Sequence, residues 1–98
     1  MTRKTAKILV ADHAASVLRT LHPYIKKKIK AAVQAIAETP HSGKVLVAEL
    51  AGLRSFRVSR FRIIYRLKEE KQIEIIAIGP RDRIYEETYR LVCKKEKP

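Results

Sequence analysis

The sequence predicts a small α+β domain in which a mainly antiparallel, twisted sheet packs against helices. Three observations support this prediction. Apolar residues recur at helical spacing in the first half of the chain, whereas from Arg54 onward they alternate with a period of two. Short polar segments separate the alternating stretches, as in strands that are joined by hairpins. The predicted order is strand, helix, helix, strand, strand, strand, helix.

The first half of the chain predicts one strand followed by a helical hairpin. Residues 7–11 (KILVA) form the strand, and the carboxylate of Asp12 is expected to cap the first helix. Pro23 ends this helix and can begin the next one, because proline disfavours helical backbone at the residue before it but fits a first helical turn. The apolar face of the first helix consists of Ala14, Val17, Leu18 and Leu21. The apolar face of the second helix consists of Ile25, Ile29, Ala32, Val33 and Ile36.

The second half predicts a hairpin-connected sheet and a last helix. Residues 39–43 (TPHSG) predict a loop, and the sequence leaves residues 44–49 open between a loop and a short strand. The connection at residues 59–60 lacks the Gly or Asn that a tight hairpin prefers, so the register there is left open. The last helix is predicted from about Arg83 to Cys93, and the place of the first strand in the sheet is not predicted. The three strands of this half are predicted at residues 54–58, 61–67 and 72–78.

Length and composition limit the class of protein. A chain of 98 residues with 46% hydrophobic content supports one core, so we expect a single domain over residues 1–98 with frayed ends at 1–4 and 94–98. No apolar run approaches the roughly 20 residues of a membrane helix, and the short apolar stretch after the basic start is not typical of a signal peptide. A lone cysteine, Cys93, excludes an internal disulfide and fits a reducing cytoplasm. The three histidines lack ligand spacing, so we expect neither a metal nor a cofactor.

The strongest compositional signal is positive charge. Twenty-two Lys and Arg residues against ten acids give a net charge of +12, which a fold of this size does not require. Nucleic acid, ribosomal RNA, an acidic protein or an anionic membrane would each use such an excess. The alternative is a surface that is charged only for solubility, but a net charge of about 2 to 8 suffices for that. We therefore expect an anionic partner.

Arginine is concentrated in the first predicted hairpin. Residues 50–67 contain no lysine and no acid, and their five arginines are Arg54, Arg57, Arg60, Arg62 and Arg66. The planar guanidinium group matches phosphate geometry and stays charged at any working pH. If the two strands pair in antiparallel fashion, Arg57 and Arg62 lie on one face of the sheet, where they would repel each other unless an anion binds. The alternative is a sheet edge that carries charge to prevent aggregation.

A second group of candidate residues follows the last predicted strand. The group consists of Arg81, Asp82, Arg83 and Tyr85. Because it comes directly after Gly79-Pro80, its side chains start at an end of the sheet. We expect Asp82 to form a bridge or to cap the last helix. Tyr85 and Tyr89 have the i, i+4 spacing of one helix face, and packing against the sheet is the commoner role of such tyrosines.

Four segments, in their order and spacing, resemble the RelE/ParE toxin superfamily. They are Pro40, residues 50–58 (LAGLRSFRV), residues 61–66 (FRIIYR) and residues 78–85 (IGPRDRIY). The resemblance spans nearly the whole chain and rests on the order of the segments, since no single motif is specific. It implies the toxin of a toxin–antitoxin system. RelE-type members cleave mRNA in the ribosomal A site, whereas ParE-type members poison DNA gyrase, and the fold is common to both.

The resemblance also implies a set of catalytic residues. They are Arg57, Arg62, Arg81 and Tyr85. RelE-type toxins use basic residues on the second and third strands, an arginine after the last strand and a tyrosine shortly after that arginine. A further basic strand position of these toxins is Ser59 here, and Pro80 stands where many relatives have a histidine. These two departures leave the identity of the general base open.

The function implied by the resemblance is a ribosome-dependent, metal-independent endoribonuclease that inhibits translation. Arg57 and Arg62 would hold the scissile phosphate. Arg81 would stabilise the transition-state charge or the leaving group, and Tyr85 would act as a base or stack on a nucleobase. Further RNA contacts are expected from Arg54, Arg60, Arg66, Arg83, Lys26, Lys27 and Lys30.

The expected partners are an acidic RelB-like antitoxin, in a hetero-oligomeric complex, and mRNA on the ribosome, where ribosomal RNA is contacted. No membrane contact is expected. Two other functions remain open at this point, a ParE-type inhibitor of DNA gyrase and a basic RNA-binding protein without catalytic activity. The second predicts stacking aromatic residues on the exposed sheet face, where the sequence has Ser, Arg and Ile instead.

Overall fold

The computed structural model describes residues 6–69 and 71–96. Its elements are β1 (Lys7–Val10), α1 (Asp12–Thr20), α2 (Pro23–Glu38), β2 (Lys44–Val45), β3 (Arg54–Val58), β4 (Phe61–Leu67), β5 (Gln72–Pro80) and α3 (Ile84–Glu96). The predicted fold class is confirmed, with the two-residue β2 added to the predicted order. The frayed segment predicted at residues 1–4 lies outside the described residues. Of the one predicted at 94–98, residues 94–96 are helical instead, and residues 97–98 lie outside the described residues. None of the helices in the described ranges is both long enough and apolar enough to span a membrane.

The five strands form one mixed sheet in the order β1-β5-β4-β3-β2. β2, β3, β4 and β5 pair in antiparallel fashion, as the hairpin pattern predicted. β1, whose place was left open, lies parallel to β5 at the edge, with Ile8 opposite Ile73. At the other edge, β2 accounts for part of the segment 44–49, and a short 3₁₀ turn, Ala48–Leu50, follows it.

The two faces of the sheet are covered by different helices. On one face, Ile63, Tyr65 and Ile75 pack with the apolar sides of α1 and α2. On the other face, Ile64 packs in a cluster with Ile84 of α3. Apolar side chains on both faces explain why the central strands are buried throughout their middle.

A β-bulge interrupts the alternation of β5. Ile64 lies opposite Ala77, and Tyr65 lies opposite Ile75, so Ile76 is the extra residue of the pair. As a consequence, both Ile76 and Ala77 belong to the cluster beneath α3. The apolar residues of β5 therefore do not alternate strictly between the two faces of the sheet.

Three predicted helix boundaries are corrected by the structure. Asp12 is the first residue of α1 and not its N-cap, which is Ala11 without a side-chain bond. The Asp12 carboxylate still lies in the first turn, where the helix dipole favours negative charge. α3 begins at Ile84, one residue later than predicted, and Asp82 lies exposed in the turn before it. It ends at Glu96, beyond Cys93, since Lys and Glu are strong helix formers.

The end of β5 is also longer than predicted and includes Gly79 and Pro80. Pro80 pairs with Phe61 of β4, while β1 reaches only as far as Ile75 on the other side. The missing N–H of proline therefore removes no hydrogen bond to β1. This extension matters because it carries the chain to the start of the turn that contains Arg81.

Candidate functional site

The register of the β3–β4 hairpin places two arginines side by side. Arg57 lies directly opposite Arg62, and the two-residue turn between the strands contains Ser59 with a φ of 59°. This left-handed conformation is what a tight hairpin turn requires, and here a serine adopts it. Directly opposed residues project to the same face, so the prediction that Arg57 and Arg62 share a face is confirmed.

Ser55 links this pair to the last helix. Its hydroxyl oxygen accepts a 2.9 Å hydrogen bond from Nη1 of Arg62 and a 3.2 Å hydrogen bond from the hydroxyl of Tyr85. Ser55 is only 2% exposed, whereas Arg57 is exposed and Arg62 is half-buried. Sequence reasoning missed Ser55 as a site residue, although its alternation with Arg57 already placed it on the same face.

Tyr85 lies in the first turn of α3 and packs under Arg62. The guanidinium carbon of Arg62 lies 5.9 Å from the centre of the Tyr85 ring, within the range of a cation–π interaction. The ring is half-buried and belongs to the apolar cluster beneath α3, so the expectation that Tyr85 packs against the sheet is met. We refer to Ser55, Arg57, Arg62 and Tyr85 as the arginine–tyrosine cluster.

Gly79 permits the close approach of α3 to the sheet. It lies opposite Arg62, and a Cβ atom at its position would come within 2.9 Å of Cδ1 of Ile84. Real Cβ atoms are not found that close to a neighbour, so any larger residue would push the start of α3 outward. The absence of a side chain at Gly79 therefore helps to set where Tyr85 meets Arg62.

Three further predicted arginines lie in the two turns next to the arginine–tyrosine cluster. The backbone N–H of Arg81 donates a 2.9 Å hydrogen bond to the carbonyl of Arg60, which joins the turn before α3 to the β3–β4 turn. Arg60, Arg81 and Arg83 are all exposed. The structure thus brings three more guanidinium groups to the end of the sheet at which the β3–β4 hairpin turns.

The positive charge of the cluster is not neutralised by neighbouring acids. Within residues 6–69 and 71–96, carboxylates form ion pairs with Arg66 and Arg90, and neither Arg57, Arg62 nor Arg81 has such a partner. Adjacent like charges on one face raise the free energy of the unliganded state and favour binding of an anion. In the same ranges, no group of three His, Cys, Asp or Glu side chains is close enough to hold a metal ion.

Two of the predicted RNA-binding arginines have other contacts. Arg54 lies opposite Tyr65, on the face of α1 and α2, and its Nη1 donates to the carbonyls of His41 and Gly43 at 3.1 and 3.0 Å. Arg66 forms a 2.7 Å ion pair with Glu74. Arg54 is therefore outside the arginine–tyrosine cluster, and Arg66 shares its face but is neutralised.

The predicted lysines lie on a separate surface. Lys26, Lys27 and Lys30 belong to α2, which packs on the opposite face of the sheet from the arginine–tyrosine cluster. Lys27 and Lys30 are exposed, and Lys26 is half-buried. The protein consequently carries two basic surfaces that are separated by the sheet.

The arginine–tyrosine cluster is an open surface and not a cavity. An apolar cavity of about 740 Å³ lies elsewhere on the α3 side of the sheet. Its lining includes Leu53, Ile76, Leu91 and Val92 and none of the four cluster residues. An open array of guanidinium groups suits the backbone of a polymer better than an enclosed small molecule.

Comparison with known families assigns the chain and its fold to one class of protein. The family model described as the ParE toxin of the type II toxin–antitoxin system parDE matches residues 8–85. The chain belongs to this family, within the RelE/ParE superfamily, and it is the toxin component of a type II toxin–antitoxin system. None of the curated protein sequences compared with the chain matches it.

Solved structures of toxins from both branches of the superfamily share the fold. The toxin–antitoxin complex RelBE2 of Mycobacterium tuberculosis gives a TM-score of 0.73 at 25% identity, over 82% of this chain and 95% of that one. A mutant of E. coli toxin RelE in the free state gives 0.74 at 16% identity, over 95% and 99%. The chromosomal ParDE system of P. aeruginosa gives 0.63 at 18% identity, over 78% and 96%.

Proposed function

We propose that this toxin is a ribosome-dependent, metal-independent endoribonuclease that cleaves mRNA in the ribosomal A site and so inhibits translation. The observation that supports this most directly is the pairing of exposed Arg57 with half-buried Arg62 on one sheet face, where Arg62 lies over the ring of Tyr85 and neither arginine forms an ion pair within the described residues. Both arginines project from opposed positions on one face of the sheet, so each can form charge-assisted hydrogen bonds to the phosphodiester backbone of a bound RNA strand.

Cleavage of RNA without a metal has three chemical requirements. The 2′-hydroxyl must lose a proton, the charge that develops on the phosphorus must be stabilised, and the 5′-oxygen must gain a proton as it leaves. Arg57 and Arg62 supply the second requirement. Guanidinium groups remain protonated and carry no acceptor, so they serve as charge stabilisers and not as the base.

Arg81 is assigned to the charge that develops on the leaving group. It lies in the turn that the hydrogen bond to the Arg60 carbonyl joins to the β3–β4 turn, so it starts from a defined backbone position at the end of the sheet. Its side chain is exposed and can adjust to a bound strand. A positive charge held near the 5′-oxygen stabilises the negative charge that develops there before the oxygen gains its proton.

For Tyr85, the contacts favour stacking and positioning over a role as the base. Its hydroxyl donates inward to Ser55, away from the exposed side of the cluster, and its ring lies under the guanidinium group of Arg62. To act on a 2′-hydroxyl, the phenol would have to give up the bond to Ser55. We therefore assign neither proton transfer to Tyr85, and the ribosome would contribute to the positioning of the substrate.

The proposed partners follow from the two basic surfaces. The cluster receives mRNA, and Lys26, Lys27 and Lys30 of α2 contact ribosomal RNA from the opposite side. An acidic RelB-like antitoxin, bound in a hetero-oligomeric complex in the cytoplasm, would neutralise the net charge of +12. The similar structure from M. tuberculosis was determined as a complex of toxin with antitoxin, which supports this partner.

A second candidate function is inhibition of DNA gyrase. The observation that favours it is the family model, which describes a ParE toxin and covers residues 8–85. A gyrase inhibitor acts by binding, so it has no transition state to stabilise. It would therefore tolerate the separate loss of Arg81 or Tyr85 better than a nuclease would.

Expression of the toxin alone distinguishes the two functions. We expect growth to stop, translation to fall before DNA synthesis does, and primer extension on a reporter mRNA to reveal new 5′ ends within translated codons. The matched control is the same strain with the empty expression vector, in which no new ends should form. Intact mRNA together with a DNA-damage response would reject the nuclease and support the gyrase inhibitor.

A further inference from the structure

We propose that Ser55 is a positioning residue, whose hydroxyl holds the Arg62 guanidinium group and the Tyr85 phenol in a fixed relation for phosphodiester cleavage. This proposal rests on the nuclease function proposed above. It assigns no direct contact with RNA to Ser55. It predicts that the order of Arg62, and through it the rate of the chemical step, depends on this one hydroxyl.

The backbone of Ser55 is held from both sides. Ser55 lies opposite Lys44 of β2 and opposite Ile64 of β4, in the interior of the sheet. Its side chain is 2% exposed, so neither the backbone nor the hydroxyl has room to move. A hydrogen-bond acceptor at such a position is held more rigidly than its two donors. One donor belongs to the long side chain of Arg62, and the other is the hydroxyl of Tyr85 on α3.

The hydrogen bonds of Ser55 run to functional side chains. The bond from Nη1 of Arg62 is 2.9 Å long and charge-assisted, and the bond from the Tyr85 hydroxyl is 3.2 Å. Most side-chain hydrogen bonds in proteins go to the backbone or to water, as a purely structural serine would require. Here both partners extend from the core toward the exposed cluster.

The consequence for the two arginines is unequal. Arg62 has several side-chain torsions that would otherwise be free, and the bond to Ser55 together with the ring of Tyr85 restricts them before RNA binds. Arg57, its neighbour across the ladder, has only a 3.4 Å bond from Nε to the carbonyl of Ser59 and is exposed. Arg62 is thus the preorganised member of the pair, and Arg57 is the adaptable one.

The buried location of a serine argues against an incidental contact. Ser55 lies between Leu53 and Ile64, at a level of the sheet where the side chains beneath α3 are apolar. A buried hydroxyl is costly unless it is hydrogen-bonded, so an apolar residue would serve packing alone at least as well. The two hydrogen bonds that the hydroxyl accepts explain why a serine lies at this buried position.

The first test compares Ser55→Ala, which removes the hydroxyl, with Ser55→Thr, which keeps it. Single-turnover cleavage is measured on ribosomes programmed with mRNA, at saturating toxin, and the affinity for the ribosome is measured separately. We expect Ser55→Ala to lower the cleavage rate by about 10²-fold, the scale of a misplaced reacting group, with little change in affinity. Ser55→Thr should restore most of the rate, and Ser42→Ala, at an exposed loop position, is the matched control.

The second test does not depend on activity. In the free toxin, NMR signals of the Arg62 side-chain N–H groups report how restricted the guanidinium group is. We expect distinct, slowly exchanging signals in the parent, in Ser55→Thr and in Tyr85→Phe, which keeps the ring and the Ser55 acceptor, and averaged signals in Ser55→Ala. Thermal unfolding of each variant shows which ones are folded before any comparison is made.

The two tests separate failure of the positioning role from failure of the nuclease function. If a folded Ser55→Ala variant cleaves at the parent rate, or leaves the Arg62 signals unchanged, the positioning role is rejected. If the parent cleaves no mRNA, the proposed function is rejected, and the NMR comparison alone decides whether Ser55 orders Arg62. A variant that is less stable but cleaves at the parent rate once folded would show a structural role and would also reject the proposal.

Discussion

The hydroxyl of Tyr65 accepts a 2.9 Å hydrogen bond from the backbone N–H of Gly43 and donates a 2.8 Å hydrogen bond to the carbonyl of Pro40. Tyr65 is fully buried in the middle of β4, so this one side chain fastens the loop after α2 to the centre of the sheet. Arg54 donates to two carbonyls of the same loop. The loop leads into β2, which pairs with β3 at Ser55. The hydrogen bonds of this loop therefore also help to position Ser55 of the arginine–tyrosine cluster.

Tyr65→Phe is expected to destabilise the fold by about 1–3 kcal/mol, because the N–H of Gly43 would lose its partner in a buried place. Urea unfolding monitored by circular dichroism measures this change. Tyr24→Phe is the matched control, since Tyr24 is 62% exposed and should change the free energy of unfolding by less than about 0.5 kcal/mol. Equal stability of the two variants would contradict the role given to Tyr65.

Gly79→Ala is expected to displace the start of α3 and to destabilise the protein by about 1–3 kcal/mol. The added Cβ would come within 2.9 Å of Cδ1 of Ile84, which is fully buried, so the Ile84 side chain or the start of α3 must shift. Since Tyr85 follows Ile84, its contact with Arg62 should weaken as well. Unfolding experiments measure the change in stability, and the NMR signals of the Arg62 side chain report the contact with Tyr85. A variant with parent values for both would show that the structure relieves the close contact with Ile84 at no cost.

Arg81→Ala should lower the single-turnover cleavage rate on programmed ribosomes by roughly 10²–10³-fold, the scale for loss of one preorganised charge stabiliser. Arg19→Ala, on α1, removes the same charge away from the cluster and should leave the rate of bound complexes unchanged. Both variants should fold, because the Arg81 side chain is exposed. Cleavage by Arg81→Ala at the parent rate would remove the catalytic assignment and leave only binding.

Tyr85→Phe distinguishes two roles of the tyrosine in the same assay. Loss of a general base predicts a decrease of about 10²–10⁴-fold, whereas stacking by the ring predicts little direct change. Because the hydroxyl donates to Ser55 while the ring stays under Arg62, we expect a decrease smaller than that of Ser55→Ala and below the range for a lost base. The double variant with Ser55→Ala should then be no slower than the slower single variant, and additive losses would show that the two hydroxyls act independently.

Lys27→Ala should weaken binding to the ribosome and reduce the salt dependence of that binding by about one phosphate contact, while the cleavage rate of the bound complex stays at the parent value. The reason is that α2 lies on the opposite face of the sheet from the cluster. Titrations at several salt concentrations give the slope. A slower chemical step with unchanged affinity would show that Lys27 takes part in cleavage and not in binding to the ribosome.

Cys93→Ala should lower the pKa of Tyr89. In the parent, the hydrogen bond with Cys93, the charge of the Cys93 thiolate and the charge of Glu49 raise the pKa of Tyr89 above its ordinary value of 10.0. A raised pKa in the folded state stabilises the fold below the ordinary value, and this contribution is lost as the pH rises through the folded pKa. An ultraviolet difference titration of Cys93→Ala against the parent measures the shift, and identical titration curves would show that the contact is absent in solution.

The fold class could be predicted from the sequence because it depends on local periodicity. The spacing of Ile29 and Ile36 is that of a helix face, and the alternation around Arg62 is that of a strand, whatever each element packs against. The same alternation was enough to place Arg57 and Arg62 on one face once the strands were paired. The excess of positive charge, likewise, is a property of composition and indicated an anionic partner without any structure.

The details that define the site were decided by tertiary structure, since they depend on residues that are distant in sequence. Ser55 and Tyr85 are 30 positions apart in the sequence. They are in contact because α3 folds back over β5 and because Gly79, which has no side chain, lets the start of α3 lie close to the sheet. The parallel pairing of β1 with β5 arises in the same way, from packing between distant segments. A sequence pattern specifies which face a side chain occupies, but the neighbour that it meets there is chosen by the packing of whole elements.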